Sequence, residues 1–322
     1  MVETSTSELS DILLRCEENL PWKYGEKRVA ITTDGREVIV VSDLHLGRGL
    51  TSSGTYPGTE NFFANEDFGR FLKYVHQKIL EKKNKQILLV INGDFIDFLR
   101  IMPVPETEDD FLQWESILKS TGINDKPVSF LKTAITPKEK KFGLKTHDYK
   151  SVWKLDLAIQ GHSTVFDALA GWIGCGHHLL ITKGNHDLEW YWFAVRNYLR
   201  LSLARKLNTI QGGIELKKSL EIVLNSVTFV DDTCVIDSTL YVEHGHNYDH
   251  LCRVVGGPTV GKADQELNLP FGSFFNRYLV NELELVYPYY DNVRPKQNIL
   301  HMLMRDHFFS VLKCYFAISL SP

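Results

Sequence analysis

The chain has 322 residues, 43% of them hydrophobic and 24% charged, a balance that suits one large globular domain or two modest ones and excludes a disordered or fibrous chain. With 36 basic against 40 acidic residues the formal charge is −4, so no overall basic field points to sequence-independent nucleic-acid binding. A small anionic substrate has to be met by local cations or metals.

The N-terminal stretch MVETSTSELSDILLRCEENL is acidic and broken by polar residues, unlike the basic start and apolar core of a signal peptide. The five cysteines (Cys16, Cys175, Cys234, Cys252, Cys314) are odd in number and contain no C-x-x-C pair, which indicates neither a disulfide framework nor a thiolate zinc site. A cytoplasmic location is the expectation from both.

Residues 28–43, RVAITTDGREVIVVSD, read as a hairpin with Asp34 and Gly35 at the turn and a fully buried second arm over 38–41. A Gly/Ser/Thr-rich loop follows over 47–59. Asn65 then caps a predicted helix in which Phe68, Phe71, Leu72, Val75, Ile79 and Leu80 keep helical spacing and EKKNK suits the C-terminal end. QILLVIN is a second buried strand, so residues 37–92 make a βαβ unit. A helix carrying Trp153, Leu157, Val165, Leu169 and Trp172 leads to a third strand, HLLIT, and the stretch VTFVDDTCVIDSTLYVEHGHNYDH is β-rich.

Between Asp97 and Gly184 the chain is far longer than a crossover requires, so residues 103–150 are expected to form an inserted cap, mobile or separately packed, over the cleft. Its acidic ETEDD (106–110) and lysine-rich 126–150 read either as a rim for an anionic substrate or as a solvated face. Residues 251–322 read as a helical, aromatic-rich segment. Its Phe271, Phe274, Phe275, Tyr278, Tyr287, Tyr289 and Tyr290 are expected in core packing. HFFSVLKCYFAISL, too short for a membrane span, reads as a core or interface helix.

Each buried strand ends in metal-binding chemistry. VVSDLHLG carries Asp43 and His45, VINGDFIDF carries Asp94 and Asp97, and ITKGNHD carries Asn185, His186 and Asp187. Gly, Asn and Asp are also turn residues, and one such ending alone would be a turn. Three coincidences are not explained that way, and a fourth apolar run, LYV, ends in Glu243, His244, Gly245 and His246. Ligands of open α/β sheets bind at the carboxyl ends of strands, where neighbouring tips converge. Carboxylate, imidazole and amide oxygen together suit a divalent ion such as Mn, Fe or Zn. In extended backbone Asp43 and His45, which flank a single residue, point to the same side.

The motifs DLH (43–45), GDFID (93–97), GNHD (184–187) and HGH (244–246), in this order, resemble those of the calcineurin-like metallophosphoesterases. In wording they are most similar to the branch that includes the UDP-diacylglucosamine pyrophosphohydrolases. The resemblance covers residues 38–250, with FFNRYLVNELELVYPYYDN also similar to that branch. It implies an α/β fold of four layers, α/β/β/α, formed as a single domain over 1–322, and two divalent metal ions. Asp43 and His45 become ligands of the first ion, Asp94 the bridge, and Asn185 and His244 ligands of the second. His186 then lies beside the scissile phosphate, with Asp97 and Asp187 orienting its neighbours, and Arg48 is either a phosphate contact or a solvated arginine. The implied substrate is a small phosphorylated or nucleotide-linked ester, with no transmembrane segment and no sign of sequence-specific nucleic-acid binding.

One element of the pattern, G-H-x-H, is missing, since His301 and His307 lack that context. Either the chain stops short of the family's C-terminal strands, leaving the second sheet incomplete, or His246 and another residue partly substitute. Two functions follow: a phosphoester hydrolase, or a degenerate scaffold that binds metal or partners without turnover.

Overall fold

The structure, a computed structural model, describes residues 6–15, 28–83, 86–213, 215–262, 265–288, 290, 293, 298 and 305. In chain order these form α1 (Thr6–Arg15), β1 (Arg28–Ile31), β2 (Glu37–Val41), α2 (Asn65–Lys83), β3 (Ile87–Asn92), α3 (Glu108–Ser120), α4 (Val128–Thr133), α5 (Pro137–Phe142), α6 (Asp148–Gly161), α7 (Ser163–Gly174) and β4 (His178–Thr182). There follow α8 (Phe193–Ile210), α9 (Leu216–Ser226), β5 (Val227–Val230), β6 (Thr233–Ile236), β7 (Leu240–Glu243), β8 (Thr259–Val260), β9 (Glu266–Leu267), α10 (Phe271–Phe275) and α11 (Asn281–Glu284).

The main sheet has the order β2-β3-β4-β5, parallel throughout. Each crossover moves to the same side, so right-handed connections stack the helices on one face. Side-chain alternation along β3 then divides the core. Ile87, Leu89 and Ile91 join the helical layer around Trp114, Phe166 and Leu203. Leu88 and Val90 face Val29, Cys234, Ile236 and Val242 of a second sheet, ordered β1-β6-β7. The fold is α/β, with helices, a parallel sheet and a smaller mixed sheet in successive layers.

The expected hairpin over 28–43 is not formed. Asp34 and Gly35 do turn, at φ 51° and 82°, but β1 pairs parallel with β6 and β2 pairs parallel with β3. The Thr33 N–H donates to Asp237 Oδ1 at 2.9 Å, tying the turn to the second sheet. The strand β2 is an edge, so its arm is not fully buried, and Val40 is 46% exposed. The predicted long helix before β4 is broken into α6 and α7 at His162, whose Nδ1 lies 2.8 Å from Asn65 Oδ1. Asn65 is therefore the first residue of α2 with its side chain engaged by His162, not a helix cap, and Phe71 on the same helix is exposed.

Residues 103–150 pack as part of the main core. Trp114, Leu118, Leu131 and Leu144 belong to the same cluster as β3 and β4, and the Trp114 indole N–H donates to Tyr149 O at 2.8 Å. The segment beyond β8 docks onto this region through Lys145 with Glu266 at 3.1 Å, and onto the loop before it through Asn281 Nδ2 with Leu99 O at 2.7 Å and a buried pair between Arg100 and Glu284. Phe271, Phe274 and Phe275 are exposed instead of core, while Ser273 on the same short helix is buried. Tyr287 packs against a small cluster that includes Tyr290. Tyr289, His301, His307 and the HFFSVLKCYFAISL stretch lie outside the described residues. Among the described residues no helix is long and apolar enough to cross a membrane.

Candidate metal centre

The tips of β2, β3, β4 and β7 meet at one end of the molecule. Parallel pairing runs on past the strands: the Asp43 N–H donates to Gly93 O at 3.3 Å, His45 N–H to Asp94 O at 2.8 Å and Leu46 N–H to Phe95 O at 3.0 Å. Asp43, His45 and Asp94 all adopt left-handed backbone, at φ 55°, 51° and 51°. Side chains other than glycine occupy this region at a cost of roughly 1–3 kcal/mol each, and such residues cluster at functional sites. Asp43 and His45 therefore converge through two left-handed residues, not through the strand alternation expected of extended backbone.

Asp94 is the hub. Its Oδ2 is 3.5 Å from His45 Nε2 and 3.3 Å from His244 Nε2, while its Oδ1 accepts the His186 N–H at 2.9 Å. Asp43 Oδ1 is 3.8 Å from His45 Nε2. Gly184 lets Asp94 in: a Cβ there would stand 2.1 Å from Asp94 Oδ1. Gly93 does the same for His244, whose ring a Cβ would meet at 2.5 Å. The His244 Nδ1 donates to Asn92 O at 2.9 Å, which turns Nε2 toward Asp94.

The donor set fits a divalent ion. Two donors each about 2.0–2.2 Å from a tetrahedral ion stand roughly 3.3–3.6 Å apart, close to the spacings around Asp94. Asp43, His45 and Asp94 form one group able to hold an ion. His45, Asp97 and His186 are as close together, but Asp97 Oδ2 lies 3.2 Å from His45 Nδ1 and 2.9 Å from His186 Nδ1, at hydrogen-bond range. That carboxylate orients two imidazoles, and each keeps its Nε2 for another partner.

Asp187 braces the loop from within, accepting from the Gly184 N–H at 2.6 Å, the Phe95 N–H at 2.8 Å and the Trp190 indole N–H at 2.9 Å. Burial and then the Asp94 charge push its carboxyl up to about 6. The exposed carboxylate Asp43 is held down to about 2, first by its bond to His45. Burial opposes charge on His45 and His244, but their carboxylate partners prevail and raise them to about 11 and about 9. Asp97 stays well below the usual carboxylate range and Asp94 is also lowered, the imidazoles outweighing the cost of burial. The cluster is thus a focus of ionised carboxylates.

No protein-family model, curated protein or solved structure matches the chain. What the site can do follows from its own chemistry.

The remaining expected residues are less central. Asn185 is half-buried on the same tip as His186. His246 is buried, its ring centroid 5.5 Å from that of His244, and like His244 it lies outside both metal-capable groups. Gly245, at φ 88°, turns the chain so that His246 enters a 3-10 turn beside the centre. Burial, then the charges of His244 and Lys183, lower His246 to about 4, so it is neutral. The Arg48 guanidinium donates to Leu157 O at 3.0 Å, anchoring it on α6.

Two residues of the surroundings have no clear sequence signal. Glu60, fully buried, accepts from the Gly47, Gly49, Asn61 and Phe62 N–H groups and so holds the loop after DLH. Arg100 Nε is 3.9 Å from Asp97 Oδ2. Its position three residues after Asp97 is the only hint the sequence offers.

Proposed function

We propose that the chain is a metal-dependent phosphoesterase of the calcineurin-like type, hydrolysing a phosphate monoester, phosphodiester or pyrophosphate bond. The observation that carries this reading is the shared carboxylate: Asp94 Oδ2 faces the Nε2 atoms of His45 and His244 at 3.5 and 3.3 Å. The Nδ1 atoms of both rings are occupied by Asp97 and Asn92 O. Asp43, His45 and Asp94 would hold one ion, and Asp94, Asn185 and His244 a second. Bound there, Mn, Fe or Zn supplies a Lewis acid and an activated water at neutral pH.

The side chains do the rest. Asp97 accepts from His186 Nδ1 at 2.9 Å, so Nε2 is the nitrogen that meets the substrate. The Asp97 charge favours the protonated ring against the burial that opposes it. A protonated His186 stabilises charge on the phosphoryl oxygens and holds a proton for the leaving oxygen. Asp187 keeps the Gly184 turn closed so that the His186 N–H reaches Asp94. The α/β/β/α sandwich belongs to the same proposal, supported by the three layers around β2-β3-β4-β5. A small phosphorylated or nucleotide-linked substrate and a cytoplasmic location complete it.

The second reading is a scaffold that binds metal or a partner without turnover, favoured by the missing G-H-x-H element. Elemental analysis after reconstitution with Mn or Zn, followed by assays on aryl phosphate mono- and diesters, separates the two. Metal with turnover supports the hydrolase, metal without turnover supports the scaffold, and no bound metal refutes the hydrolase and leaves only a partner-binding scaffold.

A further inference from the structure

At the end of the main sheet away from the metal centre, a groove of about 220 Å³ opens between α2 and α7. The metal ligands follow the C-terminal ends of β3 and β4, whereas the groove reaches His177, one residue before β4 begins. A strand's length, roughly 17–20 Å, separates the two. The helices approach where small residues face each other: a Cβ on Gly69 would stand 3.7 Å from the Ala168 Cβ. One turn further along α7, a Cβ on Gly171 would meet nothing within 4 Å, so the missing side chain leaves the space open.

The wall and the rim differ in chemistry. Leu72 and Trp172 line the groove, and the Trp172 indole N–H already donates to His178 O at 3.1 Å, so that ring offers a ligand only apolar surface. Lys73 and His76, three positions apart on α2, share one side of the groove, and no acidic side chain lines it. A relay from the sheet fixes the His76 proton. The Ile87 N–H donates to His177 Nδ1 at 3.2 Å, so the buried His177 carries its proton on Nε2 and donates to His76 Nδ1 at 2.8 Å. Burial, then the His76 and His178 charges, lower His177 to about 4 and keep it in this neutral form. The neutral His76 then holds its own proton on Nε2, on a half-buried ring that lines the groove.

We propose that this groove binds a small aromatic monocarboxylate, its ring against Trp172 and Leu72 and its carboxylate on Lys73 and His76. Donors without a competing acid select an anionic head group, and an indole face favours an aromatic body over an aliphatic one. The volume falls below the roughly 300–1,000 Å³ of drug-sized pockets, which limits the body to one ring or a fused pair. Binding here needs neither the metal centre nor the phosphoesterase reading.

Isothermal titration of the full chain with phenylacetate and indole-3-acetate tests it, with phenylacetamide as the uncharged isostere and acetate as the head group alone. At least one of the two aromatic acids binds, and both controls bind about tenfold or more weakly. Lys73→Met lowers affinity about tenfold or more, the loss of one charge-assisted hydrogen bond. Gly171→Leu fills the groove and abolishes binding. Circular dichroism confirms that the variants are folded, and Lys73→Met, at an exposed helix position, carries the test if Gly171→Leu is not. Bound acid also slows alkylation of Cys175, an exposed thiol of the groove lining, as read by peptide mass spectrometry. No binding of either aromatic acid at about 1 mM, phenylacetamide as tight as phenylacetate, or affinity unchanged in the folded variants overturns the proposal.

Discussion

At the scale of single residues, Gly184, Asp94 and His186 have different parts in the proposed centre. A methyl group at Gly184 would meet Asp94 Oδ1 at 2.1 Å and the Asp94 backbone nitrogen at 2.5 Å, so Gly184→Ala displaces the hub carboxylate. Its metal content, measured by elemental analysis after reconstitution, is expected to fall as far as that of Asp94→Asn. His186→Ala behaves differently, because the ring bonds to Asp97 and lies outside the group Asp43, His45 and Asp94. Metal content stays near the parent level, while kcat for esters with poor leaving groups falls about 10²–10⁴-fold, the usual range for general acid catalysis. Nitrophenyl esters lose less. Equal metal loss in His186→Ala would remove the role assigned to it.

At the scale of elements, α5 and α6 are joined by one carboxylate. Thr136 and Glu139 form a capping box at the start of α5. Glu139 Oε1 also accepts the Lys145 N–H at 2.8 Å and Lys150 Nζ at 2.7 Å. Burial works against the charge, but Lys150 and the backbone donors prevail and hold Glu139 down to about 2, against an ordinary 4.5. The unfolded chain binds the extra proton first, so this contribution is complete above about pH 4.5 and is lost as pH falls toward 2. Urea unfolding across that range should show a shallower acid limb in Glu139→Gln than in the parent. Lys150→Met leaves Glu139 buried without its cation and should cost about 3–5 kcal/mol. Thr136→Ala, which removes only the cap, should cost about 1 kcal/mol.

At the scale of the whole molecule, residues 103–150 determine whether the chain unfolds as one unit. Trp114 is fully buried in the cluster that also holds Leu89 and Ile181 of the main sheet. Trp114→Ala should lower stability by about 3–5 kcal/mol while tryptophan fluorescence and far-ultraviolet circular dichroism still report one coincident transition. A separate early transition, with α3 to α5 melting before the sheet, would contradict the shared core. The buried Arg100–Glu284 pair extends the same body to α11 and to the loop that carries Asp97.

Much of the site was legible before the fold because polar tips on apolar strands break a rule of composition. The runs ILLVIN and HLLIT are β3 and β4, and Asp43, His45, Asp94 and His244 do converge after such runs. Local sequence determined these elements because burial on both faces of a central strand demands an unbroken apolar run. Strand partners were decided only by tertiary structure. Asp34 and Gly35 make a turn in either case, but β1 finds β6 about two hundred positions later, and no local signal ranks that pairing against a hairpin. The left-handed backbone at Asp43, His45 and Asp94, the burial of Glu60 and the 3-10 turn that begins at His246 were likewise invisible. Each depends on which distant backbone donor, glycine or ring stands opposite, and side-chain spacing along the chain carries no record of that.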